Sequence, residues 1–123
     1  MKNTVSLLIV SYNVRQYIAH AIDAIIKSDL DDFEIIIIDN NSFDNTASYL
    51  KERYSHLRQI KIVQNEENIG FGKAINQAAS LAKGQYYLIL NPDTIIQEET
   101  ISTLKEYLDS NPEVGMAGPK ILN

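Results

Sequence analysis

Cysteine and tryptophan are absent, and the 123 residues include only three prolines and five glycines. Without thiols there is no disulfide framework, no thiolate zinc site and no cysteine nucleophile. Basic residues are outnumbered, eleven Lys and Arg against sixteen Asp and Glu, for a net charge of -5. That balance excludes a nucleic-acid grip, which needs a basic surface to displace counterions. Apolar runs such as 35–38 are far too short to span a bilayer. The first four residues lead straight into a strand-like run with no signal-peptide pattern, so a cytoplasmic chain is expected.

What is there fits one domain. A 13.9 kDa chain with 45% hydrophobic and 22% charged residues lies far from the disordered range. Residues 5–10, 33–38, 60–63 and 86–90 are short, apolar and rich in β-branched or aromatic types, and read as buried strands. Helical stripes separate them. Ile18, Ala21, Ile22 and Ile25 form the first; Ala47, Leu50, Tyr54 and Leu57 form the second. Phe71, Ala74, Ile75, Ala78 and Ala82 form a third that Gly84 ends. A fourth helix is predicted over 97–110, and residues 114–117 are a candidate fifth strand. This alternation predicts a three-layer α/β/α domain over residues 1–123, with a mainly parallel sheet covered on both faces. Right-handed crossovers give the strand order 3-2-1-4.

Ligands of such sheets bind outside the carboxyl ends of the strands. Each strand exit here carries Asn, Asp or Gly: Ser11-Tyr12-Asn13, then Asp39 to Thr46, then Asn65 to Gly72, then Asn91-Pro92-Asp93-Thr94. Asn13, Ser42 and Asp44 are also ordinary helix caps. Asp39 is different, because it ends an apolar strand where an unpartnered carboxylate is costly. Asp93 reads equally as a ligand or as part of a plain turn. Tyr12 is either core or a ring face for stacking a base whose N–H the Asp39 carboxylate accepts. Gly70-Phe71-Gly72 opens a helix suited to phosphate, but Ile75 breaks the dinucleotide fingerprint and no P-loop is present. His20 and His56 fall within helical stretches and read as surface residues. An edge with Asp39, Asp44 and Asp93 repels a bare phosphate, yet accepts a diphosphate bridged by Mg²⁺ or Mn²⁺.

These segments resemble the nucleotide-binding half of a GT-A glycosyltransferase of the inverting family 2 type, over essentially the whole chain. Ser11-Tyr12-Asn13 is similar to the opening S-Y-N, and Asp39-Asn40-Asn41-Ser42 with Asp44 and Thr46 to the D-[DN]-x-S-x-D-x-T segment. Asn68-Ile69-Gly70-Phe71-Gly72 with Asn76 is similar to N-x-G-F-G…N, and Asn91-Pro92-Asp93 takes the D-x-D position in a rhamnosyltransferase-like form. The resemblance implies a nucleotide site of Ser11, Tyr12, Asn13, Asp39, Asn41, Asn68, Gly70, Phe71, Lys73 and Asn91. Asp93 would hold a divalent cation, Mg²⁺ or Mn²⁺. Two positions depart from the pattern: Asn91 replaces a carboxylate, and Ile75 stands where many relatives have arginine, leaving Lys73 as the nearest cation.

By the same resemblance the substrate is a UDP- or dTDP-sugar and the acceptor a glycan or lipid-linked glycan in cell-surface polysaccharide synthesis. The expected location is cytoplasmic, free or peripheral at the inner face of the membrane. The general base is expected beyond Asn123, so no catalytic residue is assigned within the chain. An apolar face around residues 114–122 is then expected to favour self-association. The alternative is a module that holds a nucleotide-sugar without turnover. A phosphoacceptor receiver domain is excluded, since Ser11-Tyr12-Asn13 supplies no acidic pair after the first strand.

Overall fold

Eight elements alternate along residues 4–119, the part that the computed structural model describes. They are β1 (Val5–Ser11), α1 (Arg15–Lys27), β2 (Phe33–Asp39), α2 (Thr46–Tyr54), β3 (Ile60–Gln64), α3 (Phe71–Leu81), β4 (Tyr86–Ile89) and α4 (Thr100–Ser110). All strand pairs are parallel and the order is β3-β2-β1-β4, as the alternation predicts. Register places Ser11 opposite Asp39, and Asp39 opposite Gln64. The polar residues that end β1 and β2 therefore lie side by side at one edge.

The strands at the centre are apolar on both faces because both faces are packed. Leu7, Ile9, Ile35 and Ile37 meet α1, α2 and α4 through Ile18, Ile22, Leu50, Tyr54 and Ile101. Leu8, Val10, Ile36 and Ile38 meet α3 through Ala74 and Ala78. Small alanines let α3 sit close to the sheet, and full burial of each Leu, Ile or Val side chain beneath it is worth about 1.5–3 kcal/mol. Tyr54 donates to Asp23 at 2.7 Å, and the Arg53 guanidinium reaches the same carboxylate at 2.8 Å, joining α2 to α1.

Coverage is incomplete at β4. Tyr87 and Ile89, each 53% exposed, face the α3 side, but α3 packs mainly over β1 and β2. The expected cover on both faces thus holds for the inner strands and fails at this edge. The accessible surface, 7877 Å², exceeds the ~6,700 Å² expected for this mass.

Several further expectations are corrected. Residues 114–117 form no strand; a groove of about 650 Å³ separates Gly115, Met116 and Ala117 from Tyr86, Tyr87 and Leu88, so no ladder closes. Of the apolar face expected around 114–122, Met116 is exposed beside Tyr87 and Ile89, which extend it onto β4, and residues 120–122 lie outside the described range. The last helix starts at Thr100 rather than 97, because the Gln97 N–H donates to the Thr100 hydroxyl at 3.2 Å in a turn. Gly84 lies beyond α3 and answers to a different constraint: a Cβ there would meet the Thr4 carbonyl oxygen at 2.6 Å.

Candidate functional site

The parallel sheet brings all four strand exits to one edge, and α1, α2 and α3 begin there. Their amino termini add partial positive charge to that edge. Asp39 is fully buried at its centre. Its Oδ1 accepts from the Ser11 hydroxyl at 2.7 Å and the Ser42 hydroxyl at 2.6 Å, and its Oδ2 accepts from the Ser42 N–H at 2.9 Å. These donors answer the cost of burying a carboxylate.

Around Asp39 the loops interlock. The Asn13 N–H donates to the Ser42 hydroxyl at 2.9 Å, and the Asn13 side-chain oxygen accepts from the Phe43 N–H at 2.7 Å. Asn13 therefore bridges two loops instead of capping its helix. Asn13, Asn41 and Asn45 all have left-handed backbone, φ 54°, 63° and 61°, which asparagine tolerates better than most residues. Asp44 caps two helices at once. One oxygen accepts from the Arg15 N–H at 3.0 Å at the start of α1, and the other from the Thr46 N–H at 3.2 Å and the Thr46 hydroxyl. Partial burial pushes the Asp44 carboxyl up, but those hydrogen bonds outweigh it and hold it below the usual carboxylate range. Asp44 is thereby accounted for as a cap.

The aromatic Tyr12 is 41% exposed at this edge, so the structure places it outside the core. Phe43, 79% exposed, meets it edge-on with centroids 5.7 Å apart. Residue patterning missed Phe43, since a lone aromatic between polar residues carries no period.

The third exit is held by amides. Asn40 donates to the Gly70 carbonyl at 3.2 Å and accepts from Asn65 at 3.1 Å; Asn65 and Gln77 exchange two bonds at 3.0 and 2.8 Å. Gly70, at φ 87°, takes a backbone conformation that is strained for side-chain-bearing residues, and the Asn68 side chain accepts its N–H at 2.9 Å. Phe71 and Lys73 are exposed in the first turn of α3, which holds no acidic residue.

At the fourth exit the Thr94 N–H closes a turn onto the Asn91 carbonyl at 3.1 Å, leaving Asn91 and Asp93 exposed. Among the described residues no three His, Asp or Glu cluster as a metal cage. A cation held by one or two carboxylates and by substrate phosphates needs no such cage. Asp93 with the Asn91 amide fits that donor set. His20 and His56 are exposed on the surface, as their placement predicts.

Residues 6–121 match the family described as Glycosyl transferase family 2. The chain belongs to that family. An uncharacterised glycosyltransferase of Haemophilus influenzae is 32% identical over 114 residues, covering 93% of this chain and 35% of that protein. Poly(ribitol-phosphate) β-N-acetylglucosaminyltransferase TarS of Staphylococcus aureus is 29% identical over 109 residues, 86% of this chain and 19% of TarS. The crystal structure of TarS 1-349 with UDP-GlcNAc has a TM-score of 0.81 at 28% identity, covering 89% of this chain and 32% of that one. Mannosyltransferase PcManGT from Pyrobaculum calidifontis, in complex with GDP-Man and Mn²⁺, has a TM-score of 0.83 at 25% identity, covering 90% and 33%. The family 2 chain thus spans about a third or less of the length of these relatives, and its 3-2-1-4 sheet is of the GT-A type.

Proposed function

We propose that this family 2 domain binds a nucleoside-diphosphate sugar at the carboxyl edge of its sheet, as the donor half of an inverting glycosyltransferase. The observation that carries this reading is the convergence of Tyr12, Asp39, the Asn68–Gly70 turn and Asp93 on the edge where three helices begin. The exposed Tyr12 ring supplies a stacking face; Asp39 is fully buried, and its Oδ2, with the Ser42 N–H on it, takes a pyrimidine N–H once the loops around it part. Ser11 and Asn13 hold these two in place; Asn41, Asn68, Phe71 and Lys73 complete the nucleotide edge, and Asn91 reaches the ribose or a metal-bound water.

Asp93 is the residue to hold Mg²⁺ or Mn²⁺, which supplies charge neutralisation for the departing diphosphate. PcManGT, with its Mn²⁺, supports a divalent cation for this chain, and TarS, with UDP-GlcNAc, supports a UDP-sugar; a dTDP-sugar fits the same base contacts. TarS, a poly(ribitol-phosphate) β-N-acetylglucosaminyltransferase, likewise supports a polymer as acceptor, and we assign that polymer to cell-surface polysaccharide synthesis. The proposed acceptor is a glycan or lipid-linked glycan, and the proposed location is cytoplasmic, free or at the inner membrane face. No described helix is long and apolar enough to cross a membrane.

Glu106 and Asp109 of α4 are not placed to serve as the acceptor base. Asp109 accepts from the Tyr86 hydroxyl at 2.5 Å, at the opposite end of β4 from Asp93. On this reading the domain binds donor, and the transfer it carries out alone is negligible. Self-association would use the uncovered Tyr87 and Ile89 face. Calorimetry with UDP and with dTDP in Mn²⁺ tests the reading. Binding of one or both supports it; heats no larger than dilution for both overturn it, and sugar transfer by the chain would overturn the donor-only part.

A further inference from the structure

Asn40 is 2% exposed and sits between the Asp39 turn and the start of α3, and its amide is used in both senses. Its Nδ2 donates to the Gly70 carbonyl at 3.2 Å, while its Oδ1 accepts from Asn65 Nδ2 at 3.1 Å and the Ile69 N–H at 3.4 Å. The backbone partners fix the amide's orientation, since a main-chain N–H must face oxygen and a main-chain carbonyl must face nitrogen. Backbone bonds complete the junction: the Asn40 N–H donates to Ser11 at 2.9 Å and the Asn65 N–H to Asp39 at 2.8 Å. One buried side chain thus ties the second strand exit to the third, beside the first. The family segment D-[DN]-x-S also admits aspartate at this position, but in this chain aspartate would remove the Nδ2 donor that holds the Gly70 carbonyl and put a carboxylate oxygen across the same gap.

We propose that Asn40 is a positioning residue whose amide locks the Asn65–Gly70 segment against the Asp39 turn, so that Asp39 and Asn68 act on a single nucleotide. This rests on the nucleotide reading above, and goes beyond it in giving the two loops an energetic coupling carried by one side chain. Gln77 takes part from α3, because its two bonds to Asn65 hold the partner that Asn40 needs.

The test uses Asn40→Asp in the whole chain, with Gln77→Ala as a second variant at a half-buried helical site where folding is not in question. In unliganded protein, amide hydrogen exchange at Ile69 and Ala74 should accelerate about tenfold in Asn40→Asp and less in Gln77→Ala. Calorimetry with UDP in Mn²⁺ should show affinity about tenfold weaker in Asn40→Asp. Adding Asn68→Ala to that variant should cost little more, whereas alone it weakens binding by a similar factor; groups acting through one junction are non-additive. A merely structural role would leave the two losses additive. Exchange at Ile69 unchanged in both variants, or additive losses, overturns the proposal while the nucleotide reading stands. If the unmodified chain binds neither UDP nor dTDP, the nucleotide reading fails and the coupling role falls with it, even where exchange shows the lock itself.

Discussion

Ser42 holds the Asp39 carboxylate twice, its N–H on Oδ2 at 2.9 Å and its hydroxyl on Oδ1 at 2.6 Å. With Ser11 as third donor, the carboxylate is fixed before any ligand arrives. A base N–H reaches Oδ2 only after the surrounding loops part, and it then meets an acceptor that is already oriented.

The same bonds make Asp39→Ala a structural as well as a functional change. It leaves three donors without their acceptor in a buried place, at a cost of roughly 1–3 kcal/mol. Thermal unfolding should show a lower midpoint for Asp39→Ala than for Ser42→Ala, which removes one hydroxyl. Equal midpoints would mean that the carboxylate is solvated in solution.

Asp44 makes stability depend on acid. Its carboxyl titrates lower in the folded chain than in the unfolded one, so its stabilisation is complete above about pH 4 and is lost as pH falls through the folded value. Asp44→Asn should lower the melting midpoint at pH 7 and flatten its fall as the pH drops below about 4. Parallel curves for the two proteins would show that the helix caps are not carried by the charge.

Removing the cation should separate the two halves of the ligand. EDTA, or Asp93→Ala, should weaken UDP binding by about tenfold or more and leave uridine binding unchanged, since only the diphosphate uses the metal. Asp93 is exposed in a turn, so the melting midpoint should not move. UDP affinity indifferent to both treatments would return Asp93 to the role of a turn residue.

The open face of β4 should show in the state of association. Sedimentation velocity should find a concentration-dependent species that Ile89→Glu reduces without loss of fold. A chain monomeric at all concentrations would show that this apolar face stays in water.

Much of this arrangement is legible in residue order. Alternating strand and helix periods with right-handed crossovers lead to the 3-2-1-4 sheet, and Asp39 stands out because a carboxylate ending an apolar strand needs partners. Other features depend on neighbours remote in sequence. Tyr87 and Ile89 read as core because hydrophobicity is the same whether or not a helix covers it. Residues 114–117 look like a strand but meet no strand across the groove. Asn40 is one amide among many in the sequence, and its partners at 65, 69 and 70 become visible only when the strands are laid side by side.

The central claim is that four strand exits form one nucleotide site. An NMR titration of the ¹⁵N-labelled chain with UDP in Mg²⁺ tests it directly. Amide shifts should move together in 11–15, 39–46, 68–73 and 91–94, with α4 and the β4 groove unmoved. Shifts confined to the groove beside Met116, or absent throughout, would contradict it.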